Sequence, residues 1–529
     1  MGSFPDPGWW REGVIYQIYP RSFMDSNGDG VGDLPGVTAR LDHLERLGVD
    51  ALWLTPTYPS PNADWGYDVS DYLGVHEDLG TLADLDDLIA EAGARGIAVL
   101  LDLVPNHTSD RHPWFLDALT GRGARYRDFY VWADPGPDGG PPNNWLSTFG
   151  GSAWTFHEPS GQYYLHSFLP EQPDLNWWND AVKNAFDDVL RYWFARGVAG
   201  FRIDVAHAIV KDSLLRDNPP PRESDHERVR AFGQLQLYNT DRPEVHEVFR
   251  RWRALCRAYE PERVLLGETF LFDAERIGAY YGRGDELHLA FNFIPALGPF
   301  EAESLAASIA AVEDVYPADA QPAWAFSNHD IGRFATRWVA GDEAGARCAL
   351  VLLLTLRGTP ILYYGDEIAQ TEPEIAMDDL RDPIGVRGYP NDRGRDGCRT
   401  PLNWDASPAR GFTSGARPWL PFSDATRNVA AQRDDPASVL GLTRALISLR
   451  RREGLGRAPF LLEEARGSLL LYRRGDDLTV ALNLGNEESR LPVSGEVVIA
   501  SDRSGEGEPA PPVLQPWRAL VIKARRPDA

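Results

Sequence analysis

The sequence predicts an α/β fold: a (β/α)8 TIM barrel with a subdomain inserted after the third strand and a C-terminal antiparallel β domain. Three observations carry this. Short apolar runs alternate with segments of helical period, which implies parallel strands joined by crossover helices. Three of the runs end in an isolated acid: Gly200-Phe201-Arg202-Ile203-Asp204, Val264-Leu265-Leu266-Gly267-Glu268 and Ala325-Phe326-Ser327-Asn328-His329-Asp330. An acid in that place marks where a buried strand leaves the core, and several such acids point to one rim of a parallel barrel. The texture also breaks twice, once after the third strand and once near residue 455.

The elements follow in order. Val14-Ile15-Tyr16-Gln17-Ile18-Tyr19 is the first strand, and residues 37–47 carry apolar side chains at helical spacing with Gly48 as the stop. Ala51-Leu52-Trp53-Leu54 is the second strand, residues 82–94 the second helix, and Ile97-Ala98-Val99-Leu100-Leu101-Asp102 the third strand. Residues 107–176 are rich in Gly, Pro, Asn and aromatics without helical period, too long for a plain loop, and read as an inserted subdomain. A helix over 181–196 restores the alternation. The fourth and fifth strands end at Asp204 and Glu268, residues 287–293 give the sixth, the seventh ends at Ser327, and Thr359-Pro360-Ile361-Leu362-Tyr363-Tyr364 is the eighth. Excursions over 212–240 and 372–427 follow the fourth and eighth strands and belong on the rim of the acids. Residues 439–451 form a last helix. After it, Leu469-Leu470-Leu471-Tyr472, Leu478-Thr479-Val480-Ala481-Leu482 and Val497-Val498-Ile499-Ala500 are short strands between Gly, Asp and Asn turns. The division is therefore barrel 1–106 and 177–454, insert 107–176, and β domain 455–529.

A chain of 529 residues exceeds one compact core, in keeping with that division. The net charge of -25 argues against nucleic acid or an anionic membrane as partner and leaves a small neutral substrate or a locally bound cation. Cys256, Cys348 and Cys398 make neither a disulfide framework nor a zinc ligand set, so a reducing, cytoplasmic location is expected. Met1-Gly2-Ser3-Phe4-Pro5-Asp6 lacks a basic region followed by an apolar stretch, and no apolar run is long enough to span a membrane. Seventeen Trp and nineteen Tyr mostly serve packing, and ring-lined grooves for flat sugar faces would draw on the rest.

Three groups of residues carry chemistry. Asp25-Ser26-Asn27-Gly28-Asp29-Gly30-Val31-Gly32-Asp33 alternates oxygen side chains with glycine at the bend, which suits a hard cation. Asp25, Asn27, Asp29 and Asp33 would supply side chains and Val31 its carbonyl, for calcium before magnesium. The loop follows the first strand, away from the strand-end acids, so its role is expected to be structural. Asp102-Leu103-Val104-Pro105-Asn106-His107 lies just past the third strand, where His107 can hydrogen-bond a substrate hydroxyl. In the acid set, Arg202 stands two residues before Asp204, so both point to one side of their strand. That cation is expected to keep Asp204 ionised, as a nucleophile needs, while burial raises Glu268 toward a general acid. Two carboxylates in those roles are the machinery of retaining glycoside hydrolysis.

These residues carry a resemblance. Residues 102–107, 200–207, 267–269 and 326–330 resemble the four signature regions of the α-amylase superfamily, glycoside hydrolase family thirteen. Gln172-Pro173-Asp174-Leu175-Asn176 is similar to its fifth region in the form seen in oligo-1,6-glucosidases and α-glucosidases. The resemblance implies Asp204 as the nucleophile, Glu268 as the acid/base and Asp330 as the group that grips sugar hydroxyls and stabilises the transition state. It implies that Arg202, His107 and His329 bind the innermost glucose, that Tyr67 stacks under it and that Asp64 binds its outer hydroxyls. It also implies that Arg399, in Cys398-Arg399-Thr400-Pro401, pairs with Asp64 and closes the pocket, and that the aspartate loop holds calcium. Such a lid favours removal of one glucose from a non-reducing end. Val205 accompanies α-1,6 cleavage in the family, whereas Ala206-His207 departs from that group. The stretches Pro142-Asn143-Asn144-Trp145 and Phe149-Gly150-Gly151-Ser152-Ala153-Trp154 are more like those of α-glucosidases acting on maltose and short maltooligosaccharides. The expectation is an exo-acting retaining α-glucosidase. An oligo-1,6-glucosidase, or a transglucosylase or isomerase such as trehalose synthase, uses the same residues. Non-catalytic relatives, the heavy chains of amino-acid transporters, carry a membrane span and lack the full acid set.

Overall fold

Eight parallel strands close on themselves. Ile15–Ile18, Ala51–Leu54, Ala98–Leu103, Gly200–Ile203, Val264–Gly267, Leu289–Asn292, Gln321–Ala325 and Thr359–Tyr363 pair in sequence order, and the first also pairs with the last, Ile15 opposite Ile361. The computed structural model describes residues 8–317, 319–415 and 417–524. Residues 1–6, on which the expectation of no leader rests, lie outside them. Both faces of each strand are covered, which is why the runs are continuously apolar rather than alternating. Ile15, Trp53, Leu100, Leu266, Phe291, Ala323 and Ile361 share one cluster inside the barrel. Their strand neighbours Tyr16, Ile18, Leu52, Leu54 and Leu101 belong to the larger outer core beneath the helices.

The helices largely fall where the periodicity puts them. Leu82–Ala94 starts at a reciprocal capping pair of Thr81 and Asp84, and Asp180–Ala195 starts at Asn179, whose side chain accepts from the Ala181 amide. The helix expected over 37–47 is instead two, Leu34–Ala39 and Leu41–Leu47, divided at Arg40 with φ -111° and ψ 9°. The first starts early because Asp33 caps it, accepting from the Gly36 amide at 2.6 Å, with a proline in its first turn. The second ends at Gly48, whose φ of 88° makes a left-handed stop.

After the third strand the chain forms the helix Pro113–Ala118 and a small antiparallel sheet in which Gln162–Leu165 lies between Trp132–Ala133 and Trp154–His157. An isolated bridge from His107 to Asp174 ties the ends of this insertion together, and one from Tyr130 to Leu175 fastens its middle to its end. The C-terminal sheet has five antiparallel strands in the order Phe460–Arg466, Leu469–Arg474, Leu478–Asn483, Arg518–Lys523, Glu496–Ala500. It meets the barrel through the buried Arg474, beside the buried Arg450 of the last barrel helix, Val439–Arg452. Arg474 donates to the carbonyls of Thr355, Leu455 and Ala458, and Arg450 to those of Leu354, Leu356 and Gly358. Thr355 is the last residue of the helix Glu343–Thr355, so the guanidinium of Arg474 sits at its carbonyl end. Among the described residues no helix is long and apolar enough to cross a membrane.

Candidate active site

One guanidinium organises the rim. Arg202 lies opposite Asp102 on the third strand and Leu266 on the fifth. Its Nη1 is 2.8 Å from Asp102 Oδ1 and 2.8 Å from Asp204 Oδ1, and its Nη2 is 2.8 Å from Glu268 Oε2. Asp204 and Glu268 are each the first residue past their strands, and both remain in the ladder through their amides, which donate to Leu103 and Ile203. The chain turns sharply after Asp204: Val205 has φ 36° and ψ 50°, a left-handed conformation that a β-branched residue rarely adopts. That turn aims the Val205 amide at Glu268 Oε2, 2.9 Å away.

Burial pushes Asp204 well above the usual carboxylate range, Arg202 opposes the rise, and Glu268, Asp102 and Asp330 add to it. Arg202 thus favours the charged form of Asp204, as expected, but it does so as one cation facing three buried acids. Burial likewise raises Glu268 against Arg202, and takes Asp102 to about 7. Three buried carboxyls on one guanidinium favour sharing a proton over carrying three full charges, the arrangement an acid and a nucleophile working together draw on.

A second chain of bonds sets the other wall. Gln17, on the first strand, meets His329 Nδ1 at 2.8 Å, and the His329 Nε2 edge faces the Tyr67 hydroxyl and Asp330 Oδ2, the latter at 3.2 Å. Burial pushes His329 well below the usual imidazole range, so it is neutral, and Nδ1 accepting from the Gln17 amide leaves the proton on Nε2. The Tyr67 hydroxyl donates to Asp102 Oδ2 at 3.1 Å, which also accepts from Trp53 Nε1 at 3.1 Å. Asp330 is the open acid of the set, with 31% of its side chain exposed against 9% for Asp204 and 8% for Glu268. Burial alone would raise it, but the guanidiniums of Arg395 and Arg399 hold it below the usual carboxylate range.

The lid arginine differs from the expected one. Arg395, not Arg399, forms the ion pair with Asp64, at 2.7 Å. Arg399 is spent on the His329 carbonyl at 2.8 Å and Asp330 Oδ1 at 3.0 Å, within reach of the site but turned from Asp64. Arg395 also bridges Asp330 at 2.9 Å and is anchored by Asp382 at 2.8 Å. The insertion closes the opposite side: Gln172 donates to Asp64 Oδ2 at 3.3 Å, and Asp174 takes Asn106 at 3.2 Å and Lys211 at 3.0 Å. His107 is buried against this network with its ring nitrogen on the Tyr67 carbonyl at 3.0 Å, and burial takes it down to about 4. Every strand-end and pocket residue singled out in the sequence thus meets here. Gln17, Trp53, Lys211, Asp382 and Arg395 were not singled out. Gln17 alone had a signal, being polar within an apolar strand.

The aspartate loop lies apart from the strand-end acids. Asp25 accepts from the amides of Asn27, Gly28 and Gly30 and from Thr413, and Asn27 and Asp29 accept from the amides two residues on. Asp33 caps its helix with one oxygen and holds Ser26 with the other. Among the described residues no three His, Cys, Asp or Glu side chains gather so as to hold a metal ion. The donors are of the right kind for a hard cation, all oxygen, and here each also accepts from amides of the loop.

Residues 17–457 match the family model described as alpha amylase, catalytic domain. The chain is 46% identical over 488 residues to a probable alpha-glucosidase of Rhizobium meliloti (strain 1021), covering 89% of this chain and 88% of that protein. It is 37% identical to an oligo-1,6-glucosidase of Heyndrickxia coagulans, covering 90% and 92%. Among solved structures, that of the alpha-glucosyl transfer enzyme XgtA superposes with a TM-score of 0.91 at 40% identity, covering 98% of this chain and 99% of that one.

Proposed function

The chain belongs to the α-amylase family, glycoside hydrolase family thirteen, as an enzyme of the α-glucosidase type, and on that premise we propose that it releases single glucose units from the non-reducing ends of short α-glucosides, maltose and maltooligosaccharides first. The observation that carries this is the pairing of Asp204 and Glu268 on one guanidinium, with the Asp64–Arg395–Asp330 bridge walling the far end of the pocket. Asp204 attacks the anomeric carbon while Glu268 protonates the departing oxygen, giving a β-glucosyl ester on Asp204. Glu268, now a base, takes a proton from water as it attacks the same carbon, and α-glucose leaves. Asp330, Arg399, His107 and His329 hold hydroxyls of the bound glucose, Tyr67 lies beneath it, and Arg202 screens the carboxylates. Asp204→Ala and Glu268→Gln should each lower maltose turnover about a thousandfold or more with an unchanged melting temperature. Near-normal turnover in either sinks the assignment.

The glucosyl ester is open to any hydroxyl, and the likeness to a glucosyl transfer enzyme supports transfer to sugar acceptors at high sugar. The likeness to an oligo-1,6-glucosidase, with Val205 after the nucleophile, supports the α-1,6 reading. Product analysis after incubation with maltose, isomaltose and sucrose separates these: glucose alone, longer oligosaccharides, or an isomerised disaccharide such as trehalose. Val205→Thr should shift the isomaltose-to-maltose ratio of kcat/KM toward maltose. We also propose calcium, with magnesium second, at Asp25, Asn27, Asp29, the Val31 carbonyl and Asp33, on the strength of the oxygen-only donor set. Elemental analysis reads this directly, and less than stoichiometric metal in the purified protein removes it. The three buried free cysteines suit a cytoplasmic setting.

A further inference from the structure

We propose that a groove of about 440 Å³ outside the acid pocket, cornered by Trp65 and Trp419, is a second binding site for a neutral hexose unit. The turn from Asp64 to Tyr67 divides two spaces. Asp64 and Tyr67 face the acids, as described, whereas Trp65 lines the groove. Trp65 holds φ at 49°, a conformation unfavourable to any residue with a Cβ, so its ring is placed there against local preference.

The two rings meet at an angle beside the groove. Their centroids are 5.1 Å apart with planes inclined at 48°, which makes an open corner and not a closed stack. Each N–H is already bound, Trp65 to the Arg381 carbonyl at 2.9 Å and Trp419 to the Ser22 hydroxyl at 2.9 Å, so the rings are fixed in orientation. Both remain only half-buried. Trp419 stacks on Tyr19 at 5.9 Å, yet both rings keep a half-exposed side lining the groove, and such a fixed corner is what the apolar face of a pyranose packs against.

The polar lining favours a neutral ligand. Arg21 lies 5.6 Å over the Trp65 ring and is tied to Asp78 at 2.8 Å and Asn62 at 2.9 Å. Arg417 is paired with Asp379 at 2.5 Å. Arg21 and Arg417 are compensated in place, so an anion gains little from them, while hydroxyls find guanidinium donors and carboxylate acceptors together. Arg381 adds a guanidinium whose hydrogen bond, to the Leu380 carbonyl, is long at 3.4 Å. One wall comes from Asp29 and Val31 of the aspartate loop.

The test uses the full chain carrying Asp204→Ala, so that sugar is not consumed. Maltose is titrated and followed by tryptophan fluorescence and by saturation-transfer NMR of the sugar. Two saturable events are expected, the outer one in the millimolar range. Trp419→Ala should remove the outer event, and Arg381→Ala, an exposed change that leaves the fold intact, should weaken it about fivefold. Inorganic phosphate should not compete. A single event untouched by both variants overturns the proposal, as does displacement of maltose from the groove by phosphate. A single event that Trp419→Ala removes, with an unchanged melting temperature, upholds the groove and instead refutes the reading of the acid pocket, so the two failures are distinguishable.

Discussion

Val205 shows how much work one residue does at the centre of the site. Its left-handed backbone costs on the order of 1–3 kcal/mol and points its amide at Glu268. Glycine there relieves the strain but loosens the turn, two effects of similar size, so Val205→Gly should change stability by less than about 1 kcal/mol. Catalysis should respond more. Glu268 works protonated, so activity is lost as pH rises through its raised pKa. The Val205 amide stabilises the charged carboxylate, so weakening it raises that pKa further. Val205→Gly is expected to lower kcat and to move the basic limb of kcat/KM to higher pH; a limb that moves down removes the positioning role. None of this backbone strain was legible in the sequence, because φ at one position is set by the turn as a whole. The identity of the acids was legible, because each stands alone after an apolar run. Their protonation was not, since it depends on how many carboxylates converge on Arg202 from separate strands.

At the scale of elements, the eight strands were readable because burial on both faces leaves continuous apolar runs. The early start at Leu34 was less so, since a side-chain cap and a proline override the apolar period. The segment after the eighth strand taught a different lesson. Two arginines four residues apart, Arg395 and Arg399, flank one short turn, Asp396–Arg399, and spacing does not say which one meets Asp64. Asp382 decides it by anchoring Arg395. Asp64 is buried and raised, and Arg395 opposes that rise. Arg395→Met is therefore expected to protonate Asp64 more readily and to free the segment. KM for maltose should rise about tenfold or more, with a lowered melting temperature as Asp64 and Asp382 lose their buried cation. An unchanged KM would return the lid to Arg399. Lys211 and Asp174 were equally hidden: the bridge joins the segment after the fourth strand to the insertion, and no local pattern marks so distant a pairing.

The molecule as a whole rests on the junction of barrel and C-terminal sheet. Arg450 and Arg474 are fully buried cations whose hydrogen-bond partners are backbone carbonyls, and burial takes them to about 9 and about 10, so both stay charged at neutral pH. Arg474→Leu leaves several buried carbonyls without donors, each costing about 1–3 kcal/mol. A loss of at least about 3 kcal/mol in chemical unfolding is expected, with barrel and sheet melting together. Separate transitions would show the sheet to be a passive appendage. The seam between Ile15–Ile18 and Thr359–Tyr363 bears on a different matter, the making of the chain. The first strand waits for a neighbour encoded some 340 residues later, roughly 20 to 70 s at ribosomal speed. Until then its free edge and the apolar side chains beneath it must be sheltered or kept from pairing elsewhere. Nascent chains stalled before residue 359 should therefore be the form of this protein that chaperones hold longest.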